Sequence, residues 1–214
     1  MGRYMIMLCS LLILLTNSSF TEVNESWEEA YTNKETVIYT RTTESGIKEF
    51  KAITTMDVSI ETVLAVMVDY SSHTNWMRAI DKCDLVKQVT SRTRYLHYSI
   101  DMPWPLWDRD LVSKSTFYPQ KNGSVLMKMK ATPTVKPNRS DYVRIVDSEG
   151  HWLVTPLSSN KTKIIYQYRA DPVGIPPTFV NMFLLEAPKA SFEGLEKQVR
   201  LSKYKNSNLD WLYH

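Results

Sequence analysis

The sequence predicts an α+β domain in which helices flank one large antiparallel sheet. Residues 57–70 carry apolar side chains at helical spacing. Residues 83–170 then hold successive apolar–polar alternating segments separated by turn residues, and residues 178–204 return to helical spacing. Helices that precede and follow a long run of strands, without alternating with them, favour the α+β class.

Residues 1–19 are predicted to be a secretory signal. Arg3 precedes an apolar stretch from Ile6 to Leu15, which is too short for an ordinary membrane span of roughly 20 residues. The alternative is an uncleaved N-terminal anchor, because no A-x-A pattern follows. We expect export, to the periplasm if the host is bacterial. Removing this segment leaves one cysteine, Cys83, so the hydrophobic core, without any internal disulfide, must stabilise the fold.

The N-terminal half is predicted to alternate helices with a hairpin. Early acidic residues and the four-residue spacing of Trp27 and Tyr31 predict a short amphipathic helix over residues 24–31. Strands at 36–42 and 47–56 flank a turn that contains Gly46. The helix over 57–70 has Ser59 or Asp57 as its N-cap. A second short helix is predicted at Asn75-Trp76-Met77.

The C-terminal half is predicted to be strands followed by one long helix. The predicted strands are 83–90, 93–101, 109–118, 124–132, 141–147, 150–156 and 162–170, with Lys121-Asn122-Gly123 as a hairpin turn. A proline-rich loop, residues 171–177, precedes a helix over 178–204. Pro188 should kink this helix or mark its restart.

Charge and motifs exclude several classes of function. A formal charge of +3 in 214 residues is too balanced for a chain whose main partner is nucleic acid. The sequence has no P-loop, G-x-G-x-x-G or G-x-S-x-G pattern. It also has no H-x-x-H, C-x-x-C or H-E-x-x-H spacing. We therefore expect no cofactor and no metal.

Three segments together resemble the START domain, the lipid-transfer domain related to steroidogenic acute regulatory protein. The first is Val68-Asp69-Tyr70 followed by Trp76. The second is Pro103-Trp104-Pro105 with Arg109, Asp110 and Val112, which is similar to the family's P-W-P-x(3)-R-D-x-V signature. The third is Ile175-Pro176 with Phe179 and Asn181, followed by Pro188 and Leu195. The resemblance, to a bacterial exported type, covers residues 24–204 and leaves residues 205–214 as a C-terminal tail.

The resemblance implies a helix-grip fold, in which a curved antiparallel sheet wraps around a long C-terminal helix and encloses an apolar tunnel. It implies a monomer that binds one lipid or sterol-like ligand in the tunnel and carries or presents it between membranes through transient membrane contact. Two alternatives remain open. One is a cyclase- or dehydratase-type enzyme on the same fold, in which Arg109, His97, Tyr98 and Asp101 would have to converge. The other is a ligand-sensing adaptor that docks through Trp211 and Tyr213 of the tail.

The residues expected to line the tunnel are mostly large and apolar. They are Trp76, Tyr98, Arg109, Met127, Met129, Trp152, Phe179 and Phe183. Arg109 and Asp110 have two interpretations: one of them orients a ligand, or the pair only fixes the strand corner. At most one can face the tunnel, because neighbours in a strand point to opposite faces. Trp104 and Trp107 are expected to be buried at that corner. The loop 172–177 and the start of the last helix are expected to form a gate.

Overall fold

The computed structural model describes residues 26–213, so the predicted signal at residues 1–19 lies outside the described residues. The strands are β1 (Glu28–Thr32), β2 (Thr36–Thr42), β3 (Lys48–Met56), β4 (Ile80–Gln88), β5 (Thr93–Ile100), β6 (Arg109–Pro119), β7 (Val125–Ala131), β8 (Val143–Arg144), β9 (Asp147–Ser158) and β10 (Lys161–Asp171). The α-helices are α1 (Ile60–Val68), α2 (Pro177–Met182), α3 (Glu186–Val199) and α4 (Asp210–Tyr213). Within residues 26–213, no helix is long and apolar enough to cross a bilayer.

One curved sheet contains all of these strands. Its order is β1-β2-β3-β10-β9-β7-β6-β5-β4, with every neighbouring pair antiparallel. Helices α1 and α3 pack on its concave side, where their buried residues join the main hydrophobic core. The predicted α+β class, with a curved antiparallel sheet around a C-terminal helix, is confirmed.

Alternation along the strands decides which side chains enter this core. In β7, Val125, Met127 and Met129 are buried on the concave side, whereas Lys128 and Lys130 are exposed on the convex side. Successive side chains of a strand point to opposite faces. The alternation read from the sequence therefore correctly assigns the two faces of this strand.

The predicted helix over residues 24–31 is wrong where the structure describes it, because Glu28–Thr32 is the edge strand β1. A bulge between Glu29 and Tyr31 breaks its pairing with β2. Tyr31 consequently packs against the core, while Trp27 lies under Arg41 and Lys51 on the convex side. A spacing of four residues can place two side chains on one face of a helix or of a strand. The segment is a strand because its backbone groups pair with the edge of β2.

The predicted strand over 141–147 is also mostly wrong. Val143 and Arg144 pair parallel to Arg109 and Asp110 of β6, and Asp147 is the first residue of β9, where it pairs with Asp171. Residues 141, 142, 145 and 146 are outside any strand. The predicted short helix at 75–77 is instead a 3-10 helix over Tyr70–Asn75, which ends before Trp76.

The C-terminal helix is interrupted rather than continuous from 178 to 204. Helix α2 ends at Met182 and α3 begins at Glu186. Pro188 is the third residue of α3, where a missing backbone N–H breaks no intrahelical hydrogen bond. Pro188 therefore marks the restart of the helix, which was one of its two predicted roles.

The C-terminal tail packs onto the domain. Leu212 is fully buried in the main core, and the Trp211 ring packs edge-on against Phe117 at 5.1 Å between centroids. The guanidinium of Arg94 lies over the same Trp211 ring. Of the two tail side chains proposed for docking an adaptor, Trp211 is thus already in contact with the protein's own core, whereas Tyr213 is exposed.

Replacing Gly194 in α3 with alanine is expected to lower the free energy of unfolding by about 1–3 kcal/mol. A Cβ at this position would lie 2.6 Å from the Cα and 2.8 Å from the carbonyl oxygen of Trp76, and backbone atoms cannot rotate away. The usual gain of roughly 1 kcal/mol from Gly to Ala within a helix should therefore be reversed. Urea denaturation measures the change. Glu193→Ala, one residue earlier and exposed, is the control and should shift stability by less than about 0.5 kcal/mol.

Candidate functional site

The concave side of the sheet brings together five of the residues predicted to line a tunnel. They are Trp76, Tyr98, Met127, Met129 and Trp152, and all are buried. Trp152 is 1% exposed and stacks on Tyr166 with 3.9 Å between ring centroids. Trp76 and Phe192 pack edge-on against Trp152, at 5.8 Å and 6.0 Å. Aromatic rings therefore join sheet to helix α3 in the middle of the concave side.

Two uncharged polar groups, Trp76 and Tyr168, lie in this interior. The indole Nε1–H of Trp76 is buried and has no hydrogen-bond acceptor among the described residues. Most buried donors in proteins are paired, so this one is notable. Tyr168 belongs to the same concave face but is only half-buried, and burial raises the pKa of its hydroxyl. Both groups are uncharged, as suits contact with an apolar ligand.

His73, Tyr98 and Cys83 form a neutral cluster at the β4–β5 side of the interior. His73 Nε2–H donates to the carbonyl oxygen of Met67 at 3.1 Å, so Nδ1 accepts from the Tyr98 hydroxyl at 3.3 Å. Burial lowers the pKa of His73 to about 4 and raises the pKa of the Cys83 thiol to about 12. At neutral pH this cluster holds neither an imidazolium nor a thiolate, and a protonated thiol is a poor nucleophile.

Arg109 fastens the loop between β10 and α2 to the start of β6. Its Nε donates to the Pro172 carbonyl at 2.8 Å and one terminal nitrogen donates to Val173 at 2.9 Å. The other terminal nitrogen donates to the Trp107 carbonyl. Arg109 is buried, and all three nitrogens bind the protein's own backbone. These contacts correspond to the structural interpretation of Arg109; contact with a ligand stays a prediction.

Replacing Arg109 with alanine is expected to lower the melting temperature by several degrees. The change removes three charge-assisted hydrogen bonds to carbonyl groups, each worth about 1.5–3 kcal/mol in the general case. Thermal denaturation measures the effect, and Arg139→Ala, an exposed arginine paired only with Asp141 among its side-chain bonds, is the control. An unchanged melting temperature together with lost ligand binding would instead assign Arg109 to the ligand.

Asp110 lies on the convex side, fully buried, in a network of ion pairs. Arg144 donates to both of its oxygens at 2.7 Å, and His97 Nε2–H donates at 2.9 Å. Lys136 donates to the other His97 nitrogen at 2.9 Å. Burial alone would raise the pKa of Asp110, but the bonds from Arg144 and His97 outweigh it and lower the pKa. Arg144 also binds three carbonyls of the loop 133–137, so the network clamps that loop onto β6.

The four groups that an enzyme would have to bring together do not converge. His97 faces the convex side with Asp110, whereas Tyr98, its neighbour in β5, faces the concave side. Asp101 is exposed beyond the end of β5. Arg109 is bound to loop carbonyls. Within residues 26–213, no group of three or more His, Cys, Asp or Glu side chains could hold a metal ion.

Asp69, from the first family-like segment, ties the end of α1 to the C-terminal region. Its carboxylate accepts from Lys203 at 2.8 Å and from the Tyr204 hydroxyl at 2.7 Å. Burial opposes ionisation, but hydrogen bonds from Lys203, Ser71 and Tyr204 lower the pKa of Asp69 to about 2. Asp69 of the Asp-x(n)-Trp segment thus has a structural role here.

The stabilising effect of Asp69 is expected to disappear in acid. Its folded-state pKa of about 2 lies below the value of about 3.9 for an unfolded chain. The carboxylate therefore contributes fully above pH 4, and its contribution is lost as the pH falls towards 2. Melting temperatures of the protein and of Asp69→Asn, measured from pH 6 to 2, should differ most above pH 4 and converge near pH 2. A constant difference across this range would contradict the assignment.

The expected burial of Trp104 and Trp107 is wrong: they are 92% and 66% exposed. They belong to the loop between β5 and β6, which is closed by a bond from the Met102 amide to Asp108 Oδ1 at 3.0 Å. Among residues 26–213, no strand pairs with this loop, so the described sheet gives its rings no surface to pack on. The sequence shows two large aromatic side chains but not which way such a loop projects.

Helix α2 also exposes its apolar side chains. Phe179, Met182 and Phe183 are all more than half exposed. Asn181 of the same helix binds the β2–β3 hairpin, donating to the Gly46 carbonyl at 3.0 Å and accepting from the Lys48 amide at 2.8 Å. Since Arg109 joins Trp107 to the loop before α2, the exposed rings lie at one end of the sheet. We call Trp104, Trp107, Phe179, Met182 and Phe183 the apolar rim.

A groove of about 430 Å³ lies at the opposite end of the sheet. It runs between the β1–β2 turn, the end of β3 and helix α3, and its walls carry both acidic and basic side chains, among them Lys34, Glu35 and Glu193. Phe192 and Met56 of the main core reach its floor. None of the eight residues predicted to line the tunnel borders this groove.

Comparison with known proteins agrees with this architecture. The sequence matches the profile of the START domain over residues 13–192. An uncharacterized protein of Pseudomonas aeruginosa is 28% identical over 173 residues, which cover 80% of this chain and 85% of that protein. The solved structure of a STAR-related lipid transfer protein from Xanthomonas axonopodis has 26% identity and a TM-score of 0.76, covering 82% of this chain and 99% of that one.

A more distant structure shares the fold alone. An aromatase/cyclase from Streptomyces sp. R1128 has 11% identity and a TM-score of 0.50, covering 71% of this chain and 90% of that one. The profile match, by contrast, spans most of the sequence and includes the P-W-P, Arg109 and Asp110 segment. That segment fastens the loop before α2 and holds the loop 133–137 on the sheet. Because the START domain profile matches residues 13–192, the chain belongs to the START domain family.

Proposed function

We propose that this protein binds one lipid or other apolar ligand between the concave side of the sheet and helices α2 and α3, and carries or presents it at membranes. The observation that carries the proposal is the apolar rim, which stands at the end of the concave side where α2 meets the loop held by Arg109. A membrane would bury these rings, and tryptophan favours the membrane–water interface. The lipid transfer named for the Xanthomonas relative supports the same function.

The chemistry of the interior supports an apolar ligand. Most concave side chains of β7, β9 and β10 are aliphatic or aromatic. The polar groups of the interior include the uncharged side chains of Trp76, Tyr98, Tyr166 and Tyr168 and the cluster around His73. Arg94 lies over three aromatic rings and Arg109 binds loop carbonyls. The buried Nε of Arg94 has no acceptor among the described residues. Burying an ionised ligand without a counter-charge is unfavourable, so the buried part of the ligand should be uncharged wherever it does not reach Arg94.

To open the proposed ligand site, helix α2 would separate from the β2–β3 hairpin, or the loop 172–177 that precedes α2 would loosen. The loop 172–174 contains two residues with positive φ, Val173 at 57° and Gly174 at 73°. Arg109 holds the loop, and Asn181 holds helix α2 on the β2–β3 hairpin, both by hydrogen bonds to backbone groups. Such bonds can break and reform without disturbing the core formed by α3 and Trp152. The proposed gate is therefore α2 together with the loop 172–177.

Two further parts of the proposal rest on sequence. Export, to the periplasm in a bacterial host, rests on residues 1–19. Action as a monomer rests on the family resemblance. A cyclase-type enzyme is less favoured because His97 and Tyr98 face opposite sides of the sheet.

Lipid uptake from vesicles tests the proposal. Purified protein is incubated with vesicles of phosphatidylethanolamine and phosphatidylglycerol, re-isolated, and examined by native mass spectrometry. One bound lipid per chain is expected. The double variant Trp104→Ser/Trp107→Ser should slow uptake by about tenfold or more, equivalent to about 1.4 kcal/mol of lost membrane contact. Tyr213→Ser, which removes an exposed ring outside the apolar rim, is the control.

Either of two results would overturn the proposal. Protein that takes up no lipid from these vesicles, and carries none when purified from its host, is not a lipid carrier. Uptake that is equally fast in the double variant and the control would show that the apolar rim is not the membrane contact. A locked α2, made with an engineered disulfide to the β2–β3 hairpin, should also take up lipid more slowly than its reduced form.

A further inference from the structure

One row of apolar side chains crosses six adjacent strands on the convex side of the sheet. The row consists of Val37 on β2, Ile53 on β3, Ile165 on β10, Leu153 on β9, Leu126 on β7 and Tyr118 on β6. Each is the register partner of the next: β2 with β3, β3 with β10, β10 with β9, β9 with β7, and β7 with β6. Five spacings of about 4.8 Å give a row of roughly 24 Å. We call it the convex apolar row.

Within residues 26–213, no helix packs over this row, and the ammonium group of Lys128 lies over the Tyr118 ring. Its members belong to neither hydrophobic core cluster, and the helices lie on the other side of the sheet. All six are at least partly exposed, and Tyr118 is 45% exposed. A hollow at the β6–β7 end, bordered by Leu126, Leu153 and Lys121, continues the row. Contiguous exposed apolar surface often marks a site of interaction.

The rows on either side are polar and carry only positive charge. One contains Thr55, Lys163 and Thr155 in register, and the other contains Tyr39, Lys51, Gln167, His151, Lys128 and Thr116. Glu49 and Glu149 lie one row further out and are paired with Arg41 and Arg169, and Glu49 also accepts from Gln167. Glu35, two residues before Val37, is exposed near the end of the row that contains Thr55. Within residues 26–213, no ion pair joins a carboxylate to Lys51, Lys128 or Lys163.

We propose that the convex apolar row is a docking surface for another protein that presents an apolar ridge bordered by carboxylates. Apolar burial would supply affinity, and the lysines would supply orientation and a faster encounter. A second copy of this chain fits poorly, because its row would bring lysines against lysines. A membrane also fits poorly: the row crosses the convex curve of the sheet, where a flat surface touches few strands, and the apolar rim lies at the end of the sheet.

Photo-crosslinking in the protein's own host tests this surface. Tyr118 is replaced by benzoylphenylalanine, an aromatic residue of similar shape, in the full chain. Tyr213, also exposed and outside the row, receives the same replacement as a control. Irradiation should give one discrete protein adduct from position 118 and not from 213. The crosslinked peptide of the partner should contain apolar residues next to Asp or Glu.

Charge dependence separates docking from chance contact. Lys128→Glu/Lys163→Glu should reduce the adduct at least tenfold. Lys114→Glu/Lys130→Glu is the matched control, because these lysines pair with each other one row further out on the same face, and it should reduce the adduct less than twofold. Melting temperature and lipid uptake should be unchanged in both, so a failure here leaves the proposed lipid binding standing.

Four outcomes would overturn the proposal. These are no adduct beyond that of position 213, an adduct with twice the mass of this chain, an adduct with lipid, and an adduct insensitive to Lys128→Glu/Lys163→Glu. If benzoylphenylalanine at 118 prevents folding, the same reagent at Leu126, also in the row, gives the same readouts.

Discussion

Replacing Asp110 with alanine is expected to lower the free energy of unfolding by about 3–5 kcal/mol. Asp110 is 0% exposed and binds Arg144 through both oxygens. Without it, the Arg144 guanidinium stays buried with no opposite charge, and the His97 Nε2–H loses its acceptor. Urea denaturation measures the change. Removing one partner of a buried pair is far more damaging than removing an exposed pair.

Two control variants sharpen this result. Asp141→Ala removes an exposed carboxylate paired with Arg139 and should change stability by less than about 1 kcal/mol. Asp110→Asn keeps the shape of the side chain but not its charge. It should lower the free energy of unfolding by more than Asp141→Ala and by less than Asp110→Ala. If Asp110→Ala lowers the free energy of unfolding by less than about 1 kcal/mol, the network does not hold the loop 133–137. The role assigned to Asp110 is then wrong.

Replacing Trp152 with alanine should also lower the free energy of unfolding by about 3–5 kcal/mol. Trp152 stacks on Tyr166 and meets the edges of Trp76 and Phe192. Its loss leaves a cavity between sheet and α3 that those rings cannot fill without moving. His151→Ala, next in sequence but on the convex side and half-buried, is the control and should cost less than about 1.5 kcal/mol.

The same variant separates packing from ligand contact. If Trp152 only packs, Trp152→Ala should bind the same lipids as the parent protein at a temperature well below its melting point. A changed lipid profile in native mass spectrometry would place Trp152 against the ligand. A loss of stability below about 1 kcal/mol would contradict the tight ring packing.

The aromatic rings explain why sequence reasoning succeeded in some places and failed in others. Trp152 lies in an alternating strand, and its neighbours in the sequence indicate which face it takes. Trp104 and Trp107 lie in a proline-rich loop without periodicity, and their size suggested burial. The structure exposes them because the loop leaves the sheet. Whether a ring outside a regular element is buried depends on what lies opposite, which is set by distant parts of the chain.

The sequence by itself determined the fold class, the faces of the central strands and the family. Each follows from information carried within a short segment: a period of two, a helical period, or the segment from Pro103 to Val112. It could not place Arg109 and Asp110 in their roles, because the partners that decide those roles, Val173 and Arg144, lie 64 and 34 residues away. Nor could it show that β1 is a strand, that the last helix is interrupted, or that Leu212 enters the core.

Only the tertiary structure decided those points, and the physical reason is the same for each. An edge strand forms where another strand offers free backbone groups, and a charged side chain becomes a clamp where a distant carbonyl or counter-charge meets it. The convex apolar row is a further example. Its six residues come from six strands scattered over residues 37 to 165, and they are contiguous only because the register of five strand pairs aligns them.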